Sequence, residues 1–265
     1  MKFIVTGGAG FIGSNIVDAL IENGHGVVII DNLFTGKKEN INPKAEFHLK
    51  DILDLDGIRP LFKGVDGVFH CAALARIQPA IIDPLPSHHV NATGTLNVLT
   101  ASKEAGVKRL VYSGSSSVYG TQDELPFRED MRPNPLSPYS VQKLTGEMYC
   151  RNFSELYGLP TVILRYFNVY GPREILEGTY AAVIGKFRRQ LQKGEPLTMV
   201  ADGDKKTRDF THVRDVVRAN LLAMDSDKVG KAEIINIGTG ANYTIKEMAL
   251  MFGGPIQIIP PRPGE

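Results

Sequence analysis

One stretch limits the fold of this chain more than any other: "KFIVTGGAGFIGSNIVDALIENG", residues 2 to 24. It opens with "KFIVTG", short, apolar and β-rich, as a strand buried in a parallel sheet should be. A glycine-rich turn follows. Ile16, Val17, Leu20 and Ile21 then recur at helical spacing, and Gly24 ends the run. "GVVIID" is a second strand, and the alternation continues. A third strand precedes Asp51-Ile52. A helix near "DLDGIRPLF" leads to a strand in "GVDGVFHCAA". "NATGTLNVLTASKEAG" reads as a helix with Asn91 as its N-cap, "KRLVYSGS" as a strand, residues 138 to 158 as a long helix, and "PTVILRYFNV" as a strand. Repeated βα units of this length specify an α/β fold, a Rossmann-type doubly wound parallel sheet with right-handed crossovers.

After about residue 170 the texture changes. Glycine, proline and charge rise and the segments shorten, as in "GPREILEG", "GEPLTMVADGDKKTRDFTHV" and "IINIGTG". The expectation is a dinucleotide-binding domain over 1–170 and a smaller C-terminal lobe over 171–265 that binds substrate and returns some segments to the main sheet. The chain stops at "PPRPGE", in a polar loop with no capping helix after it, so a shortened C-terminus is expected.

Composition excludes several partners. The chain of 265 residues carries 30 basic and 29 acidic side chains, a net charge of +1, with no footprint for nucleic acid or an anionic membrane. No apolar stretch approaches the roughly 20 residues that span a bilayer. "MKFIVTGGAG" has too short an apolar run for a signal peptide. The two cysteines, Cys71 and Cys150, make no disulfide framework, and a reducing, cytoplasmic setting is the default. His88 and His89 are adjacent and share no helical face, and no Cys/His cluster has zinc spacing, so no metal is expected.

The turn "TGGAGFIG" carries chemistry. Gly8, Gly10 and Gly13 fit G-x-G-x-x-G, and Gly7, Gly10 and Gly13 fit the wider G-x-x-G-x-x-G. Glycines allow close backbone approach, and the helix N-terminus then offers N–H groups to a pyrophosphate. Asp31 ends the second strand about 20 residues on, where a carboxylate accepts hydrogen bonds from the adenosine ribose and repels a 2′-phosphate, which favours NAD. Asp51 and Ile52 bracket the adenine or form a helix N-cap, and the two readings weigh equally. "HCAA" ends a strand with small residues at Ala72 and Ala73, suited to a cofactor lying on backbone; His70 reads as a core histidine. In "SPYSVQK", Tyr139 and Lys143 are four residues apart and project from one helical face. A phenol beside an ammonium and a dinucleotide is a candidate base, since a free tyrosine titrates near 10 and needs help to ionise.

These features together resemble the extended short-chain dehydrogenase/reductase family, and within it the NAD-dependent sugar-nucleotide epimerases of the UDP-glucose or UDP-N-acetylglucosamine 4-epimerase kind. The resemblance rests on the glycine motif, "DNL" (Asp31 to Leu33), "YSGSSSVYG", "NPLSPY", "YSVQK", "LRYFNVYGP", "TRDFTHVRDVV" and "PRPGE", in order along the whole chain. It implies Tyr139 as the base at the sugar 4-hydroxyl, Lys143 as the cation that favours its anion and holds the nicotinamide ribose, and Ser115, or Ser116 if the match slips by one, as hydrogen-bonding the same oxygen. It gives Gly7, Gly10, Phe11, Ile12, Gly13, Asp31, Asn32, Asp51, Ile52, Ala72, Ala73, Asn91, Ser113, Tyr139, Lys143 and Phe167 to the cofactor. It gives Asn168, Ala182 and Val183 (within "AAVI"), Arg208, Arg262 and Glu265 to the substrate, the two arginines clamping the diphosphate. It implies a homodimer paired through helices 91–106 and 138–158.

Departures are informative. Relatives that dehydrate or decarboxylate carry an acidic residue just after the catalytic hydroxyl; here Ser115-Ser116-Ser117-Val118 has none, which favours plain epimerisation. Ala75 stands where some 4-epimerases have a polar or basic residue, with Arg76 beside it. "MALMFGGPIQII" is shorter than its counterpart. Another nucleotide-sugar epimerase, dehydratase or reductase, and a non-catalytic NAD-binding sensor, are the rival readings. The residue that separates hexoses from N-acetylhexosamines in this family falls beyond Glu265.

Overall fold

A computed structural model describes residues 1–176, 178 and 181–260. The chain runs β1 (Lys2–Thr6), α1 (Phe11–Glu22), β2 (Gly26–Asp31), β3 (Glu46–Leu49), α2 (Leu55–Ile58), β4 (Gly67–His70), α3 (Ile77–Ile82), α4 (Pro84–His88), α5 (Thr95–Glu104), β5 (Arg109–Ser115), α6 (Pro138–Tyr157) and β6 (Thr161–Tyr166). It continues through α7 (Val183–Gln192), β7 (Leu197–Val200), β8 (Thr207–Arg208), α8 (Val213–Asp225), β9 (Lys231–Ile237), β10 (Tyr243–Thr244), α9 (Ile245–Phe252) and β11 (Ile256–Ile259).

Seven strands form one parallel sheet in the order β3-β2-β1-β4-β5-β6-β9. The chain builds outward from β1 to β3, then returns to β1's other side with β4. That reversal opens a crevice at the carboxyl ends of β1 and β4, where ligands of such sheets bind. One face of the sheet packs Val98, Leu99, Cys150 and Phe153 from α5 and α6 over Ile4, Val28, Val68 and Leu110. The other packs Ile16, Val17 and Leu20 of α1 and Val213, Val216 and Val217 of α8 over Phe3, Val5, Phe69 and Val162. A third, small cluster of Phe187, Leu197 and Ala249 joins α7, α9 and the parallel pair β7–β11. β9 lies in the main sheet beside β6.

Two local expectations need correction. The helix of residues 91–106 does not begin at Asn91. Asp83 caps the segment by accepting a hydrogen bond from Leu85 N, Pro84 stands in its first turn, and α4 passes through a π-helical turn, His89–Gly94, into α5. Asn91 sits inside that π turn, 1% exposed. Its amide accepts from Leu74 N (2.8 Å) and donates to Leu74 O (3.1 Å) and Gln142 Oε1 (2.9 Å), so it braces two neighbouring segments instead of capping. The helix near "DLDGIRPLF" is one α turn, capped by Asp54, followed by a 3-10 turn at Arg59–Phe62.

His70, at the end of β4, is a core histidine. Thr95 Oγ1 donates to Asn91 O (2.7 Å), so it accepts from His70 Nε2 (2.9 Å). Thr6 Oγ1 accepts from Ala72 N (3.3 Å) and donates to His70 Nδ1 (2.7 Å). The neutral ring is therefore the Nε2–H tautomer. Burial, reinforced by the Lys143 charge, pulls it down to about 3. An unfolded imidazole titrates near 6.5. Between those values the unfolded chain alone takes up a proton, so stability falls as pH drops through that window. We expect a loss of about 3 kcal/mol between pH 6.5 and 4 from this group. Urea titrations of His70→Gln should show a flatter profile over that range.

Candidate active site

Loops at the carboxyl ends of the strands build the site. The first follows β1. Gly7 has φ 70°, and a Cβ there would lie 2.7 Å from Ala72 N; one at Gly13 would overlap the Gly7 carbonyl. Gly10 is the N-cap of α1 with extended backbone and offers no side chain to the first turn. The N–H groups of Phe11, Ile12 and Gly13 thus face outward at the positive end of a 12-residue helix. Side chains would fill this cradle, and a pyrophosphate fits it.

Asp31, 8% exposed, is held for recognition: Oδ2 accepts from Ala9 N (3.0 Å) and Oδ1 from Leu33 N (2.8 Å). Burial raises its carboxyl, against those two bonds. Asn32 Nδ2 donates to Asp51 Oδ2 at 2.8 Å, joining the loops after β2 and β3. Asp51 also accepts from Leu53 N (2.9 Å), while the cap of α2 is Asp54, so the N-cap alternative for Asp51 is set aside. Ile52 is buried in the core under α5. The residues present fit NAD. We expect Asp31→Asn to weaken NAD binding and to cut the preference for NAD over NADP at least about 10-fold by calorimetry, because the charge that repels a 2′-phosphate is gone.

The chemical end is set by α6. Ser137 caps it through a reciprocal bond with Ser140, Pro138 stands in the first turn, and Gly158 ends it with φ 67°. Tyr139 and Lys143 project from its first turns. Lys143 is 4% exposed; its Nζ donates to Ser113 O (2.9 Å) and lies 5.0 Å from the centre of the Tyr112 ring. Burial pulls the ammonium down to about 8, opposed by Cys71, Glu147 and Cys150. Burial raises the Tyr139 phenol, while a hydrogen bond from Ser115 and the charge of Arg76 oppose it. Of the two serines, it is Ser115 that interacts with the phenol. The charge of Arg76, which sequence reasoning noted only beside the departure at Ala75, also favours the anion of the phenol. Glu147, one turn beyond Lys143, pairs with the buried Arg165 (Oε2 to Nη2, 2.7 Å; Oε1 to Nε, 3.0 Å), whose guanidinium lies 4.6 Å from the Tyr119 ring centre. The i+4 spacing of Tyr139, Lys143 and Glu147 was the available signal for that glutamate.

The other expected residues divide. Ser113 Oγ lies 3.3 Å from Cys71 Sγ and 3.2 Å from Tyr166 Oη, and Ala72 and Ala73 follow β4, with the Ala72 backbone packed against Gly7. Phe167 leaves β6 and packs with Tyr119 and Phe127. Asn168 has φ 25° and donates to Asp209 O at 2.8 Å. Ala182 is the N-cap of α7, with Val183 its first residue, and Arg208 is exposed on β8. Arg262 and Glu265 lie outside the described residues.

A glycine cradle with a fixed carboxylate, and a Tyr–Lys pair with a serine, define a nucleotide-dependent redox site in a doubly wound fold. The chain belongs to the NAD dependent epimerase/dehydratase family, whose profile matches residues 3–238. It is 44% identical over 247 residues to a putative UDP-glucose 4-epimerase of Methanocaldococcus jannaschii, covering 92% of this chain and 79% of that one. Its fold superposes on the UDP-glucose 4-epimerase of Thermotoga maritima, solved with UDP-glucose, with a TM-score of 0.94 and 39% identity over all of this chain and 87% of that one. The UDP-glucose 4-epimerase of Thermus thermophilus, solved with NAD, gives 0.93 and 37% over all of this chain and 88% of that one.

Proposed function

We propose that this protein is an NAD-dependent isomerase that inverts C4 of a UDP-sugar through a 4-keto intermediate. The observation that carries the reading is the meeting of Tyr139, Ser115 and Lys143 at the carboxyl end of β5, beside the cradle after β1. When bound there, NAD supplies the acceptor and later the donor of the C4 hydride. The chain's own residues do the rest. Tyr139 takes the proton from the 4-hydroxyl and returns it to the inverted sugar. Ser115 donates a hydrogen bond to the oxygen as it gains charge. Lys143, buried and cationic at neutral pH, holds the nicotinamide ribose, and Arg76 adds positive field at the phenol. Asn168, Ala182, Val183, Arg208, Arg262 and Glu265 bind the nucleotide sugar. The residues after Ser115 are Ser116 and Ser117, so no carboxylate stands there to take a second proton, which supports inversion over elimination or decarboxylation.

Anomeric proton NMR of UDP-glucose, UDP-galactose, UDP-N-acetylglucosamine and the uronic-acid forms, without added reductant, tests this. A 4-epimer should accumulate with no net consumption of NAD. A stable keto, deoxy or decarboxylated product overturns the reading. Tyr139→Phe should lower kcat by about 10³-fold with NAD affinity retained.

Residues 1–170 act as the cofactor domain and 171–265 mainly as the substrate lobe, in this proposal. Among the described residues, no helix is long and apolar enough to cross a membrane. Both thiols are free, which suits the reducing cytoplasm we assign. Val141 and Met148, 49% and 64% exposed and seven residues apart on α6, support a homodimer through that helix and residues 91–106. Val141→Glu with Met148→Glu should shift a dimer to monomer in sedimentation velocity.

A further inference from the structure

Ser115 is approached twice by the same residue. Ser117 N donates to Ser115 Oγ at 3.2 Å, the bond that opens the 3-10 turn Ser116–Tyr119, and the two side-chain oxygens stand 2.9 Å apart. The Ser115 side chain also interacts with the Tyr139 phenol. A serine hydroxyl has one proton and two lone pairs. If the Ser117 hydroxyl donates, it and the Ser117 N–H fill both lone pairs of Ser115 Oγ. The single Ser115 proton is then left to point at Tyr139 and the sugar oxygen. The opposite arrangement, Ser115 donating to Ser117, would turn a lone pair toward an oxygen that becomes anionic, and the two would repel. The developing charge selects the first arrangement.

We propose that Ser117 is a positioning residue: its hydroxyl, added to its backbone N–H, turns the Ser115 proton toward the reacting oxygen. This rests on the reading of Tyr139 and Ser115 as the acid–base pair. A role confined to the turn would need only the backbone N–H, which Ser117→Ala keeps. The hydroxyl is what the orientation requires.

Ser117→Ala separates the two roles. With NAD and UDP-glucose, or UDP-N-acetylglucosamine if that is the sugar turned over, we expect kcat to fall about 5- to 10-fold, the loss of one neutral hydrogen bond. KM should hold, and the rise of kcat with pH should move to higher pH, because the phenolate is less well stabilised. Ser117→Thr should restore both. Ser115→Ala should cost more, and the double variant Ser115→Ala/Ser117→Ala should be no slower than Ser115→Ala alone, since Ser117 then has nothing to orient. Thermal melting of each variant checks that the fold is retained. An unchanged kcat and pH profile in Ser117→Ala, a change in KM alone, or additive losses in the double variant would each overturn the proposal. Full activity in Ser115→Ala would instead overturn the acid–base assignment on which it rests, whereas a slow Ser115→Ala with a silent Ser117→Ala removes this inference alone.

Discussion

A buried ammonium organises the active site. Lys143 sits almost out of solvent on the inner face of α6, and an isolated charge in that position would be costly. Its answer is partly a hydrogen bond to the carbonyl of Ser113 on β5 and partly the negative charge of Glu147 one turn away. Glu147 is in turn held by Arg165 of β6. The same contacts that satisfy the lysine therefore fix how α6 docks on β5 and β6. Close docking also needs glycine at 146, where a Cβ would overlap the Tyr112 hydroxyl, and at 114, where one would stand 3.3 Å from Glu147 Oε1. Packing and the proposed catalysis share one set of residues.

The phenol has the opposite problem. Burial makes Tyr139 a weaker acid, and a base must be ionised to take a proton. Help converges from two directions: Ser115 at the end of β5, and Arg76 in the loop after β4. That loop is anchored from below, since the Asn91 amide holds both backbone groups of Leu74 and is itself held by Gln142 on α6. The π turn at His89–Gly94 thus belongs to the site's support. An extra residue in the helical turn brings the Asn91 amide to the loop, a use of π turns seen near functional sites.

The cluster of Phe187, Leu197 and Ala249 is small, and elsewhere after β6 the chain is tied to the sheet by hydrogen bonds. Asp209 accepts from Thr239 N, Thr239 Oγ1 and Gly240 N, binding the turn after β9 to the segment before α8. Tyr119, next to the serine run, donates to Asn236 of β9 at 2.7 Å, and Asn236 N donates to Glu129 at 2.8 Å. These bonds couple the loop after the serines to the last strand of the main sheet.

The sequence alone determined the features whose causes are local. Apolar strands, helical periodicity, the glycine turn and Asp31 at the end of β2 follow from residue type and spacing, and so does the shared face of Tyr139 and Lys143. The tertiary structure decided everything that depends on distance across the fold. Asn91 reads as an N-cap because it precedes a helical run, but Asp83 and Pro84 start that helix earlier and the loop at Leu74 claims the amide. Asp51 reads equally as cap or ligand until Asn32 is seen to reach it from another strand. Tyr139 and Lys143 share a helical face by their spacing alone; only the tertiary structure brings the charge of Arg76, 63 residues earlier in the chain than Tyr139, to bear on the same phenol. Backbone propensity acts over a few residues, whereas burial and charge act through space, and no spacing pattern in the chain encodes which distant side chains will share a pocket.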